Sequence, residues 1–509
     1  MQNKNKILLA LVTILSIGLF FSSPSYAEEV IETDKTTSSE NATATETPER
    51  EIEEPLTYSG EDGTYTPDMP DGWWRDVYYV KNNAFVSGFQ TIDDITYYFD
   101  PATNILQKGQ LKIDGYLYYF DSETGAMAKS EFINLDGTKT VYYDQDGHML
   151  YGIQNIEDKT YLLDNVTGAV QYGQRKIGKF WYYFNSKTGA MAKAELVSLT
   201  KAENRDGAKT VYYDQSGHML YGIQNINGQS YFLDNVTGAV QYGQRKIGKF
   251  WYYFNSKTGA MAKTQFVNLA KAENRDGAKT VYYDQSGHML YGLRNIKNVY
   301  YYFNTYDGAL QRNAASTENN RVYKTNKNGI VYSTRVKNVP YYAQYDRGWG
   351  NARIGGYTIR SSGCSVMVGT SIINFVAYRN DHPQYIANRF HDDFHNYNSN
   401  GIFGTTSDVW RKVASSYDMR FESNMSYARV QDHLRQGHLV KTSVKAGTFI
   451  SRGTHALLLM GLDSQNNTQV YDPNDKSKNG WYPLETIWNE QSTHSDDTRD
   501  GGPFFALWR

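Results

Sequence analysis

The chain has 509 residues, with 52 lysines and arginines against 54 aspartates and glutamates, and a net charge of −2. That length is too great for one ordinary core, so two or more domains are expected, and the balanced charge gives no reason to expect nucleic acid as a partner. The single cysteine excludes an internal disulfide, and the 44 tyrosines, most of them before residue 345, suggest stacked aromatic platforms rather than a closed core.

In chain order, residues 1–27 read as a secretory signal peptide. Lys4 and Lys6 precede an apolar run at 7–21, and Ser25-Tyr26-Ala27 supplies small residues at the cleavage positions. No other stretch of about 18 apolar residues occurs, so no membrane span is expected after signal removal. Residues 28–56 are rich in Glu, Thr, Ser and Ala and nearly free of aromatics, and read as a disordered acidic spacer.

From 57 to 335 the sequence repeats. Residues 171–184 return unchanged at 241–254, 70 residues on. Inside that block are three shorter units, each an aromatic strand, a Gly-containing turn and a second short strand. Trp181-Tyr182-Tyr183-Phe184 precedes Thr188-Gly189-Ala190-Met191, Val211-Tyr212-Tyr213-Asp214 precedes Gly217-His218-Met219-Leu220, and Tyr231-Phe232-Leu233-Asp234 precedes Thr237-Gly238-Ala239-Val240. Such pairs are hairpin signals, and one hairpin cannot bury its face without neighbours, so the units predict a β-hairpin solenoid.

These units resemble the cell-wall-binding repeats of Gram-positive bacteria, the group that includes choline-binding and glucan-binding repeats. The resemblance implies as partner a cell-wall polysaccharide, teichoic acid choline or a glucan. Exposed aromatic faces that stack on sugars or cage quaternary ammonium groups agree with it. Choline cages of that family draw on tryptophans from successive repeats, whereas only Trp181 and Trp251 lie in the regular units here; that departure favours glucan or another wall polysaccharide. His148, His218 and His288 recur with the repeat and are assigned no chemistry.

From 336 to 509 the repeats stop and helical and strand patterns mix. Ser361-Ser362-Gly363-Cys364 leads into an apolar run at 365–378 in which Val366, Val368, Ile372, Phe375 and Val376 recur at helical spacings. With Ser361 and Ser362 as caps, Cys364 falls in the first helical turn, where unpaired N–H groups and the helix dipole favour a thiolate. Further helices are expected near 408–416 and 426–436, and strands at 439–444, 456–462 and 468–471. Helices first and sheet later predict an α+β domain.

A cysteine nucleophile needs a base, and the base an orienting acceptor. His455 stands where one strand begins and Asp472 where the next ends, so a tight hairpin brings both to one sheet edge. Gln344, upstream, is the side-chain donor for an oxyanion. The ordered set resembles the papain-like cysteine peptidases of the bacteriocin-leader-processing type, in their soluble, exported form. It is carried by Val339-Pro340-Tyr341-Tyr342-Ala343-Gln344-Tyr345-Asp346 with Trp349, by Ser362-Gly363-Cys364, by His455-Ala456-Leu457 with Gly461, and by Asp472-Pro473-Asn474. The resemblance implies Cys364 as nucleophile, His455 as base and then acid, Asp472 as orienter and Gln344 as oxyanion donor. Relatives often carry Gly-Pro-Thr after the cysteine, where this chain has Ser365-Val366-Met367.

His391 and His395 stand four apart as on a zinc helix, but Asp392 replaces the expected Glu and no third ligand is evident, so no metal and no cofactor are expected. The chain ends in Phe504-Phe505-Ala506-Leu507-Trp508-Arg509 without a wall-sorting signal, so non-covalent binding is expected to hold it at a surface. The expectation is therefore a secreted, wall-associated cysteine peptidase or amide hydrolase acting on peptide or peptidoglycan. The alternative is a wall- or glucan-binding adhesin with a silent peptidase-like domain, and acyl transfer to an amine would use the same residues.

Overall fold

The computed structural model describes residues 69–204, 207–272, 277–394 and 405–509. The expected signal peptide, the spacer and the first residues of the repeat region lie outside these. No helix among the described residues is long and apolar enough to cross a membrane.

The described chain clusters into two units. The smaller contains a three-stranded sheet of Gly72–Trp74, Tyr78–Lys81 and Ala84–Phe85, with the Trp73 and Tyr79 rings 5.5 Å apart. Within the larger unit, two-stranded antiparallel hairpins follow one another from Gly109–Ile113 with Tyr116–Phe120 to Gly292–Ile296 with Val299–Phe303. Where the turn is Asn227-Gly228, both residues sit at positive φ (50° and 79°), the backbone that a two-residue hairpin turn needs to match strand twist.

Period-two alternation decides what each hairpin buries. The last residue of every second strand in this series is wholly buried: Phe120, Tyr143, Leu163, Phe184, Tyr213, Leu233, Phe254, Tyr283 and Phe303. The segment after each hairpin then donates a backbone hydrogen bond to the hairpin before it, as Met219 N–H does to Trp181 C=O (2.9 Å) and Met289 N–H to Trp251 C=O (2.9 Å). Hairpins that are marginal alone thereby share one stack.

The α+β region is built on a six-stranded antiparallel sheet. In chain order its parts are β1 (Val331–Val336), β2 (Arg353–Ile354), β3 (Tyr357–Thr358), α1 (Ile359–Ser362), α2 (Cys364–Val376), α3 (Pro383–Asp392), α4 (Val409–Ser416), β4 (Arg420–Glu422), α5 (Tyr427–Gln436), β5 (Leu439–Val444), β6 (His455–Met460), β7 (Asn467–Tyr471), β8 (Gly480–Pro483), α6 (Leu484–Asn489), α7 (Ser495–Thr498) and β9 (Phe505–Trp508). The sheet order is β4-β9-β5-β6-β7-β8. Helix α2 packs on one face, where Val366, Ile372, Ile373, Leu439, Ala456 and Leu458 meet. Helices α5 and α6 cover the other, where Val430, Leu434, Val440, Leu457, Leu459 and Ile487 meet. Burial on both faces is why every residue of β5 and β6 is buried, β6 as a nearly continuous apolar run and β5 with Lys441, Thr442 and Ser443 inside it.

The expected helices and strands are present here. Four helices are additional, α1, α3, α6 and α7; the signal of α3 is Pro383 at the first position after His382, a cap whose ring nitrogen accepts from Gln384 N–H (3.2 Å). The capping expected of Ser361 and Ser362 is different in the structure. Thr358 caps α1 in a box with Ser361, both serines lie inside α1, and Gly363 is the N-cap of α2 with no side-chain capping bond. The Ser361 hydroxyl is engaged at the other end of its own turn, by Thr358 N–H (3.1 Å), so it cannot serve α2.

β1 lies outside the six-stranded sheet, in a last three-stranded hairpin sheet with Ala315–Glu318 and Arg321–Thr325, and that sheet is joined directly to this region. Thr334 of β1 exchanges backbone hydrogen bonds with Leu462 (2.8 and 3.0 Å). Helix α5 ends with unpaired carbonyls, as every helix does, and the repeat side satisfies them. Thr334 Oγ1 donates to Arg435 C=O (2.6 Å), Tyr323 Oη to Gln436 C=O (3.3 Å) and Arg321 Nε to Gly437 C=O (2.8 Å). Gly461 is what lets β1 approach: it has φ +69°, and a Cβ there would lie 2.3 Å from Thr334 O. Gly461→Ala should therefore cost about 2 kcal/mol in thermal unfolding. Gly453→Ala, with a similar φ of +79° but open space around it, should cost clearly less; equal losses would show that the seam contributes nothing.

Candidate functional site

Cys364 opens α2 and remains partly exposed, with no side chain competing for the first N–H groups of its helix. His455 opens β6, paired with Val444, and is 4% exposed. Asp472 follows β7 and is fully buried. The β6–β7 hairpin thus brings together two residues 17 apart: His455 Nε2 meets Asp472 Oδ1 at 2.7 Å. With Nε2 engaged, Nδ1 is the ring nitrogen left for Cys364, which shares a hydrogen bond with His455.

Asp472 is itself held from several directions. Its Oδ1 also accepts from the N–H groups of Asn474 (2.8 Å) and Asp475 (3.1 Å), and its own N–H donates to Asn479 Oδ1 (2.7 Å). Tyr341 Oη donates to its carbonyl (3.1 Å). Oδ2 is buried without a hydrogen-bond partner among the described residues, so the carboxylate directs its binding capacity through Oδ1.

Gln344 is 5% exposed and joins the two halves of the site. Its N–H donates to Pro473 C=O (2.8 Å), beside Asp472, and its Nε2 donates to Arg360 C=O (3.0 Å), four residues before Cys364. One further hydrogen on Nε2 remains, and Oε1 is buried without a partner among the described residues. The four residues singled out in the sequence therefore converge on one edge of the sheet.

The electrostatics follow from that packing. Burial disfavours the His455 cation, but the hydrogen bonds and negative charges of Asp472 and Cys364 outweigh it and raise His455 to about 9. Burial likewise pushes the Cys364 thiol up, yet the His455 hydrogen bond and charge prevail and hold it below its ordinary value. The arrangement favours a thiolate beside an imidazolium. Chemically, such a pair can attack a carbonyl carbon and then return a proton to the leaving group.

Sequence reasoning missed Lys441, which stands inside the buried strand β5 and is 1% exposed. Its signal was there: a lone cation within a continuous buried run. The histidines of the repeats also have a part not read from sequence. His148 stacks on Tyr116, His218 on Phe180 and His288 on Phe250, at 4.0, 3.8 and 3.8 Å between ring centres. His148 Nε2 and His288 Nε2 also bond the hydroxyls of Tyr118 (2.9 Å) and Tyr252 (3.0 Å). Many tyrosines fill the interior, as Tyr143, Tyr213 and Tyr283 do, each with its hydroxyl accepting from a glutamine (Gln110, Gln174 and Gln244). Trp181 and Trp251 pack beside these clusters. Of the pair weighed for zinc, His391 bonds Asp392 (2.7 Å) and His395 lies outside the described residues.

Comparison with known proteins agrees with both parts. Residues 86–132 and 220–266 match the choline-binding repeat, and residues 336–495 match the Peptidase C39 like family. Glucosyltransferase-S of Streptococcus mutans serotype c is 26% identical over 227 residues, which are 39% of this chain and 15% of that relative. Choline binding protein F of Streptococcus pneumoniae is 23% identical, with 53% of this chain and 95% of that one covered at a TM-score of 0.35. For the modular autolysin LytC of Streptococcus pneumoniae the values are 21% identity, 48% and 52% coverage, and a TM-score of 0.32.

A group raised from 6.5 to about 9 on folding adds stability that is complete below pH 6.5 and is lost as pH rises through 9. Asp472→Asn removes the anion that sustains this shift. His455 should then titrate at least about one pH unit lower by NMR, and the loss of thermal stability between pH 6.5 and 9 should flatten; an unmoved His455 would show that the buried carboxylate does not govern it.

Proposed function

We propose that this chain, choline-binding repeats followed by a peptidase C39-like region, is a secreted cysteine peptidase or amide hydrolase that its repeats hold on the cell wall. The domain boundaries proposed are those of the sequence: signal peptide to 27, spacer to 56, repeats to 335, peptidase region from 336. The observation that carries the reading is the convergence of Cys364, His455 and Asp472 with a 2.7 Å bond between the last two.

In this reading the Cys364 thiolate attacks the amide carbonyl, and the oxyanion is met by the free N–H groups opening α2 and by the second hydrogen of Gln344 Nε2. His455 Nδ1 gives its proton to the departing amine, leaving a thioester. Water, deprotonated by the same nitrogen, then releases the acid and restores the thiolate beside the imidazolium. Asp472 keeps the imidazole in the orientation this requires. The repeats would bind wall carbohydrate, with choline on teichoic acid or a glucan as ligand.

A rival reading, a wall-binding adhesin with a silent domain, is favoured by the bond that commits Gln344 Nε2 to Arg360. The two separate on thiol chemistry. The pH profile of iodoacetamide alkylation at Cys364 should have its midpoint well below the free value of about 8.5, and His455→Ala should move it back up. A midpoint near the free value in both proteins would favour the adhesin. Hydrolysis of wall peptides should fall at least about 10³-fold in Cys364→Ala.

A further inference from the structure

A lysine inside a sheet buried on both faces is physically expensive, and Lys441 is there without a direct ionic partner. Its Nζ donates to Ser443 Oγ (2.6 Å) and lies 5.5 Å from the Trp410 ring centre and 5.4 Å from that of Phe505. Among the described residues no carboxylate is in ion-pair contact with it. Burial pulls its affinity for a proton down to about 8, opposed by the negative charges of Asp497 and Cys364. Aromatic faces and one hydroxyl are weak compensation for a desolvated ammonium; such a cost points to a use.

Strand register shows where the charge is aimed. Lys441 and Ser443 project from the same face of β5, the face that meets α2. Ser443 pairs directly with Ala456 on β6, and the Ala456 N–H helps favour the Cys364 thiolate. From sulfur to ammonium the path is therefore one backbone N–H, one cross-strand pair and one hydroxyl. His455 opens β6 at the sheet edge, whereas Lys441 is the third residue of β5.

We infer that Lys441 is a second, buried cation for the Cys364 thiolate, acting through its field from the core side of the sheet. The inference rests on the thiolate reading of Cys364 given above. It divides the labour at the sulfur: His455 supplies and takes the proton, and Lys441 adds to the field that favours the sulfur anion before attack and again as it leaves the hydrolysed thioester. The groups facing the ammonium are Ser443 on β5, Trp410 on α4, Phe505 on β9, Cys364 on α2 and Asp497 on α7.

The test is the same alkylation profile at Cys364, measured in Lys441→Met and Lys441→Gln. Met fills the volume without charge, and Gln keeps a donor for Ser443. Both should move the midpoint up by about one pH unit while His455 still titrates as a partner of the thiol. A low wild-type midpoint that neither variant moves overturns the role of Lys441 and leaves the nucleophile reading intact; a wild-type midpoint near the free value overturns the nucleophile reading itself. The reciprocal measurement needs no change at Lys441. In Cys364→Ala, the ¹³C-labelled Lys441 side chain should lose its proton at lower pH than in the wild type, because coupling between two sites acts equally on both. An identical Lys441 titration in the two proteins would equally sink the inference, whether or not the lysine variants fold.

Discussion

The bond between His455 Nε2 and the buried Asp472 Oδ1 is the constraint on which the rest of the site depends. A fully buried carboxylate is tolerated only where its charge is met, and here one oxygen gathers the imidazole and two backbone N–H groups. The surrounding chain serves the same point. Tyr341 holds the Asp472 carbonyl, Gln344 holds that of Pro473, and Tyr471 Oη donates to Tyr342 C=O (2.6 Å). The segment before the first helices is thus strapped to the end of β7, which brings a donor from far upstream to the mouth of the site.

Much of this was legible in the sequence because the signals were local. Residues 456–462 are apolar without alternation, and a sheet covered on both faces demands that. The β6–β7 hairpin is short, so the meeting of His455 and Asp472 followed from chain reach alone. The repeats announced themselves by their period. What could not be read depended on distant partners. β9 inserts between β4 and β5, pairing with strands 64 to 88 residues earlier. Ser361 looked like a cap for the cysteine helix until Thr358 was found to recruit it into the preceding turn. The solitary cation in β5 was visible as a letter but had no meaning without the register that sets Ser443 against Ala456.

The repeats carry a parallel lesson about aromatic residues. Counting tyrosines suggests open platforms, but the rings are divided between three tasks. Tyr143, Tyr213 and Tyr283 are interior, their hydroxyls satisfied by glutamines. Tyr116, Phe180 and Phe250 each carry a histidine against one face. Phe132 and Phe266, edge-on to Tyr142 and Tyr282, keep substantial exposed area.

The seam between the last repeat and α5 has a geometrical consequence. Two domains joined by a flexible linker search a volume, and the effective concentration of one at the other's target depends on linker length. Here the join is main-chain pairing at Thr334 and Leu462 with the helix-end carbonyls capped from the other side, so there is no linker to swing. The hairpin next to the seam is thus tied by hydrogen bonds to the region that carries Cys364. On the proposed function, such a molecule would measure rather than search, meeting only those bonds that its anchor surface presents at the right spacing.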